Sequence, residues 1–344
     1  MRTNHRTLSW AAALLCLLVV TACGGATSSA SKPSVGAIAA TIPLGTTVQQ
    51  ATTSVQGIWV LDASDRVANE VDPTSNKVVA SIPVGFGPTN LLVTSAPNAL
   101  WVTNRDGAVK RIDPGTGKVV ATISVSAQPV SSLTATTNPP ALWVAGYSDH
   151  TVSRIDMQTN RMVATIDVGN APDDIESANG SVWVCNLKDD QGVQQIDPST
   201  NQVATKVTLH YSSFGGVGCG SIRFTENALW VMTYHGSGRT TVLLRLDPHT
   251  YATVETIDLG SDIIGFSMGA DASAVWVSDV DTSELLRVEA QTNKVAGKLS
   301  LDQAPSRVTL TAHSVWVGNF YESSDGTLSS NGTGNTLWRI TPTP

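Results

Sequence analysis

The chain has 344 residues, of which 41% are apolar and only 14% charged, with 28 Gly and 16 Pro. That turn-rich composition excludes a disordered chain and a coiled coil. The formal net charge of −7 comes without any basic cluster, which excludes charge-driven binding to nucleic acid or to an acidic membrane.

At the N-terminus Arg2 and Arg6 precede an apolar run, LSWAAALLCLLVV, from Leu8 to Val20. The run is too short to span a bilayer, which takes about 20 residues, but it suits the core of a secretory signal. It ends in VTAC, Val20 to Cys23, which resembles the bacterial lipobox. That resemblance implies a lipoprotein signal peptide over 1–22 and acylation of Cys23 by diacylglyceryl and fatty-acyl (palmitate-type) chains. The protein would then be held on a bacterial membrane, facing the periplasm or the cell exterior, with the bilayer as a partner through Cys23. An ordinary secretory signal cleaved after Ala22 is the alternative. Residues 23–34 are rich in Gly and Ser and read as a flexible tether. Cys16 leaves with the signal, so Cys185 and Cys219 remain as a pair in an oxidising compartment. A disulfide between them would close a loop of about 35 residues and contribute about 4 kcal/mol in the chain-entropy picture. Two buried free thiols are the alternative.

From residue 35 onward the chain repeats itself. Trp59, Trp101, Trp143, Trp183, Trp230, Trp276 and Trp316 are spaced 42, 42, 40, 47, 46 and 40 residues apart, and each is followed by Val. After each comes a polar turn, then a strand pattern such as KRIDP at Lys110, SRIDM at Ser153 or LRLDP at Leu244. A second turn leads to an outer strand pattern such as VVASIPVG at Val78 or VVATISVS at Val119, and a further strand precedes each Trp. Four strands of alternating pattern in about 42 residues make a propeller blade. The last repeat, TLWRITPTP, lacks its fourth strand, and VGAIAATIPLG from Val35 to Gly45 supplies it. The expectation is all-β: a seven-bladed β-propeller over 35–344, four antiparallel strands per blade, with the N-terminal strand completing the last blade and closing the ring.

The LWVTN…VKRIDPGTGKVVATI pattern resembles the YVTN-type repeats of bacterial surface-layer and periplasmic propellers, and is similar also to streptogramin B lyase-like propellers. The resemblance implies the fold; activities on that fold are diverse. It also implies an order of strands from the axis outward. The turn after each Trp strand and the crossover into the next blade then share one face, here the first face. On it lie the longer segments Leu209–Ser221, Met232–Thr241 and Asn319–Thr336. The residues three after each Trp, Asp62, Asn104, Gly146, Asn186, Thr233, Asp279 and Asn319, are read as turn chemistry. Tyr147, Tyr234, His235 and Tyr321 are candidate exposed contacts in loops. Near the channel mouth the inner strands contribute Gln50, Asn90, Ser131, Asp174, Ser221, Gly265 and Arg307. Asn90, Asp174 and Arg307 are the candidate ligand contacts there, unless Asp174 and Arg307 are simply paired with other side chains.

Lyase-like chemistry would use His and Glu around a magnesium ion. Yet no inner strand carries His, His249 and His313 fall in loops of the other face, His150 starts a third strand, and only His210 and His235 belong to the first face. No metal-binding spacing occurs, so no catalytic residue, metal or cofactor is assigned. The expected function is a non-enzymatic, monomeric binding module, taking a small ligand or a surface protein on the first face. The alternatives are a lyase- or lactonase-like enzyme with a channel-mouth site and a structural cell-surface module.

Overall fold

The computed structural model describes residues 35–44, 48–54, 57–125, 130–188, 192–209, 218–235, 240–260, 263, 265–319 and 336–343. The expectations for the signal, the tether, Cys23 and Tyr321 lie outside these residues. The described residues hold 28 strands in seven four-stranded sheets and no helix. Blade 2 is typical: inner strand Pro88–Ser95, second strand Asn98–Asn104, third strand Ala108–Asp113, outer strand Lys118–Ser124. The strands pair in sequence order, all antiparallel. Blade 7 takes Pro305–Thr311, Ser314–Asn319 and Thr336–Pro342 from the C-terminus, and Gly36–Pro43 is its outer strand. Seven blades thus form an all-β propeller, as the repeat predicts.

Burial follows the radial position of each strand. In the second strands almost every residue is buried on both faces, as in Ala274–Asp279 and Ser314–Asn319. Outer strands bury little more than the one Ile near their end, as in Lys118–Ser124. A blade is therefore apolar on both faces and gains its core only from its neighbours. The buried apolar residues fall into seven clusters, one at each seam between adjacent blades. At the junction of last and first blades, Trp316 and Leu337 pack with Val48, Ile58 and Val60. The seven strand tryptophans are 0 to 3% exposed. Each contributes roughly 4–6 kcal/mol of burial as an upper figure.

The shared polar letters turn out to stitch these seams. Arg154 of blade 3 lies over Trp143, 5.1 Å from the ring, and donates to Pro198 O at 2.7 Å and Asn201 Oδ1 at 2.6 Å in the next blade. Arg111, Arg245 and Arg339 repeat the clasp on Asn160, Asn293 and Asn76. Those four Asn residues sit at φ of 54 to 58°, a conformation Asn tolerates better than most residues. Each charge-assisted hydrogen bond of this kind contributes about 1.5–3 kcal/mol. The Asp of each DP motif caps its own turn: Asp113 Oδ1 accepts from Gly115 N and Thr116 N.

Three readings of the sequence need correction. In blade 5 the second strand runs to His235 and the third begins at Thr240, with Tyr234 opposite Thr241. Tyr234 and His235 are thus strand residues and not a loop; their side chains lie outside the described set. Likewise the inner strand of blade 5 starts at Cys219, so the crossover ends earlier than Ser221. His150 ends a first-face turn at φ 60°, one residue before the third strand, and its Nδ1 accepts from Ala171 N of blade 4.

Candidate functional site

In six blades the first residue of the inner strand pairs with the last of the second strand, as Pro88 with Asn104, and in blade 5 Cys219 pairs with Thr233, two residues before its end, so crossovers and post-Trp turns do share a face. Turn chemistry governs several positions there. Asp62 Oδ1 accepts from Asp65 N, Asp279 Oδ1 from Asp281 N, and Asn104 Nδ2 donates to Phe86 O. Asn186 departs: it is fully buried, and its carboxamide meets no hydrogen-bond partner among the described residues. Tyr147 is half-buried beneath the neighbouring blade's Lys188, whose Nζ lies 5.5 Å from the ring, so it is not a free exposed aromatic. Among the described residues Phe86, at 70%, is an exposed aromatic of this face, with the Arg66 guanidinium 4.7 Å from its ring; the sequence pattern does not single it out.

The disulfide is present. Cys185 in the second strand of blade 4 bridges to Cys219 in the inner strand of blade 5, with Cα atoms 5.1 Å apart. The residue before it has to be glycine: a Cβ on Gly218 would sit 1.6 Å from Leu187 O.

Every inner strand carries an irregularity after its first residue, and this sets the register of the ring around the axis. The equivalent residues are Gln50, Asn90, Ser132, Asp174, Ser221, Ser267 and Arg307. Ser131 and Gly265 are therefore replaced in the ring by Ser132, opposite Ala145, and Ser267, opposite Ser278. Ring side chains reach the free edge of the neighbouring inner strand. Leu91 N donates to Gln50 Oε1 at 2.8 Å, Val308 N to Ser267 Oγ at 3.3 Å, and Asn90 Nδ2 donates to Ser131 O at 3.0 Å. The belt answers the backbone donors and acceptors that no further strand covers.

In one sector the belt is charged. Asp174 accepts from donors in three blades: Ser132 Oγ at 3.1 Å, Ile175 N at 3.0 Å, and Ser221 Oγ, Ile222 N and Arg223 Nη1 at 2.8, 3.2 and 2.7 Å. Glu176 Oε2 accepts from Phe224 N at 3.0 Å. Arg223 is ion-paired to Asp174 and bonds Ile222 O as well. Arg307, from blade 7, is half-buried and forms no hydrogen bond or ion pair among the described residues. Its field nonetheless reaches Asp173 and Asp174.

Protonation diverges within this sector. Burial opposes the Asp174 charge, but Arg223, Arg307 and the Ser221 hydroxyl outweigh it and hold the carboxyl below its ordinary value. Burial, reinforced by Asp174 and opposed by Arg307, pushes Asp173 up to about 6. Burial likewise pushes Glu176 up to about 7, against the pull of Arg223. Neither Asp173 nor Glu176 is closed off from water; both stay partly exposed. Three neighbouring carboxyl groups thus differ in charge near neutrality.

The sign of the resulting pH dependence is fixed. Between about 4.5 and 7 the native Glu176 keeps a proton that the unfolded chain has lost. Stability therefore falls as pH rises through that window and levels off above it. Glu176→Gln should flatten the slope, read from urea midpoints at intervals from pH 4.5 to 8. An unchanged slope would show that Glu176 titrates normally.

Sequence reasoning singled out Asp174 and Arg307 but passed over Asp173 and Arg223. The signal was available in the position opposite each Trp. It reads Thr52, Leu92, Thr134, Gly269 and Thr309 in five blades, but Glu176 and Arg223 in blades 4 and 5. Among the described residues no three His, Cys, Asp or Glu side chains converge as metal ligands. No known family model matches this chain, and no curated protein matches its sequence.

Proposed function

We propose that the protein is a lipid-anchored, extracytoplasmic propeller of the YVTN-repeat kind that binds a small polar ligand at the channel mouth of its first face. One observation carries the reading. The inner ring is neutral around most of its circumference, while Asp173, Asp174, Glu176 and Arg223 gather charge in blades 4 and 5, and the field of Arg307 reaches Asp173 and Asp174 from blade 7. A repeat fold does not need that asymmetry, since Gln50 and Ser267 serve the same neighbouring backbone donors without charge. Arg307 suits an acidic group on the ligand, and Asp173 and Glu176 suit a hydroxyl or ammonium group. The Cys185–Cys219 bond fits an oxidising compartment, in keeping with a secreted, acylated chain.

The test is a thermal-shift and calorimetric screen of the full chain with amino acids, hydroxy acids and short peptides, since a native-state ligand raises the midpoint. Arg307→Gln and Glu176→Gln should each weaken a hit by about tenfold or more, equivalent to about 1.4 kcal/mol. A hit that binds both variants at wild-type strength places the ligand elsewhere.

Glu176 also supports a second reading, as a lyase- or lactonase-like base. A carboxyl raised to about 7 and partly exposed is matched to proton abstraction near neutrality. Ester or lactone turnover that disappears in Glu176→Gln, with a pH midpoint near that value, would decide for the enzyme.

A further inference from the structure

We infer that the seam between blades 1 and 2 is a second binding site, for a neutral sugar ring, on the face opposite the channel mouth. The seven seams are not alike. Five are bridged by an Arg lying 5.1 to 5.6 Å over its Trp and bonded into the next blade: Arg111, Arg154, Arg245, Arg287 and Arg339. Between blades 4 and 5 the Arg is replaced by Gln195, and the partner Asn by Tyr251. There the gap is filled by rings instead, with Phe224 at 4.9 Å and Tyr251 at 5.0 Å from Trp183.

Between blades 1 and 2 both halves of the clasp are missing and nothing aromatic replaces them. The Arg position holds Glu70, whose side chain lies over Gly57 of its own blade, and the Asn position holds Gly117 at φ 66°. The seam is left as a cavity of about 390 Å³. Trp59 and Pro114 form its apolar walls, and Thr53, Ser54, Ser95 and Asn98 add hydroxyl and carboxamide groups. Of the seven strand tryptophans Trp59 keeps the most exposure, 3%. Among the described residues no charged side chain lines the cavity. The comparable hollow between blades 5 and 6 contains Arg245, already bonded to Ala290 O and Asn293 Oδ1.

An uncharged hollow with apolar walls and several short hydroxyl-type groups matches a ring with apolar faces and hydroxylated edges. Its volume lies within the range of about 300–1,000 Å³ usual for small-molecule sites. Charged ligands would find no counterion, and aliphatic ones would leave the polar groups unanswered.

Calorimetric titration of the full chain, in a non-glycosidic detergent, with glucose, maltose and N,N′-diacetylchitobiose tests this. At least one should bind with Kd at or below the millimolar range. Glu70→Arg/Gly117→Asn rebuilds the clasp with residues that the other blades use, so it should stay folded and lose about tenfold or more in affinity. Asn98→Ala, at an exposed position, should weaken binding several-fold without touching the core. Arg307→Gln should leave sugar binding unchanged, which separates this site from the channel mouth. Absence of binding by the wild type overturns the inference. So does full-strength binding by the rebuilt clasp, or loss of sugar binding in Arg307→Gln.

Discussion

Replacing both Cys185 and Cys219 by Ala is expected to lower the unfolding free energy by about 4 kcal/mol, the chain-entropy value for a loop of about 35 residues. In a chain of this size that corresponds to a fall in Tm of roughly 6 °C. The seam involved is the one that Asp174 and Glu176 also cross to Ser221, Arg223 and Phe224. It lacks the Arg clasp, because Gln195 donates instead to Ser181 Oγ within its own blade. On the second face Trp183, Phe224 and Tyr251 hold blades 4 and 5 together; towards the first face the disulfide and the Asp174 bonds do so. Gly218 brings the incoming chain against Leu187, an approach that unlinked strands would have to maintain without a covalent tie. Scanning calorimetry of the double variant, and of the wild type with reductant, should give matching shifts. A shift under about 2 °C in both would mean that the unlinked seam is already rigid, or that the bond is absent from the protein in solution.

The fold was legible because its cause is periodic. A sheet that is apolar on both faces needs equivalent neighbours, so the Trp, the IDP signature and the outer Val and Ile recur at a spacing the eye can find. Even the split blade could be read, since Gly36–Pro43 completes the sheet that Ser314–Asn319 and Thr336–Pro342 leave short. The site was legible only in part, for two physical reasons. The irregularity at the start of each inner strand moves the register, so counting letters from the strand start placed Ser131 and Gly265 where Ser132 and Ser267 belong. Contacts across seams join residues some 40 to 50 positions apart, as Asp174 to Arg223, and no local pattern announces them. Loop length misled as well: Met232–Thr241 is long because the hairpin is longer, not because a loop is inserted. What marks function in a repeat protein is a letter that departs from its column, as Glu176 and Arg223 do opposite Trp, and as Glu70 and Gly117 do at one seam.

Asp174→Ala is expected to cost about 3–5 kcal/mol, the range for removing one partner of a buried ion pair. Five donors from three blades lose their acceptor at once, and Arg223 keeps a partly buried charge with Glu176 as its remaining acidic neighbour. The deficit should depend on pH. A carboxyl held below its ordinary value stabilises the native state above that value and stops doing so as pH falls through its folded pKa. The difference between wild type and variant should therefore be full at pH 7 and shrink below about pH 4, near the ordinary carboxylate range. Glu176 supplies an internal check, because Asp174 raises its pKa while Arg223 lowers it. With Asp174 gone, Arg223 turns to Glu176, and the decline in stability that wild type shows between about 4.5 and 7 should weaken. The double variant Asp174→Ser/Arg223→Thr installs the residues that blade 3 uses at the same positions, Ser132 and Thr134. Thr134 Oγ1 already accepts from Ser177 N across its seam at 3.1 Å, so a neutral belt is a working solution in this fold. The double variant should recover most of the single variant's loss, since exchanging a buried pair for a compatible neutral set is often close to neutral. Urea denaturation of the three proteins at pH 3, 4.5 and 7 measures both effects. A double variant as unstable as Asp174→Ala would mean that blade 4 requires the charge itself for folding, and the assignment of that charge to ligand binding would fall with it.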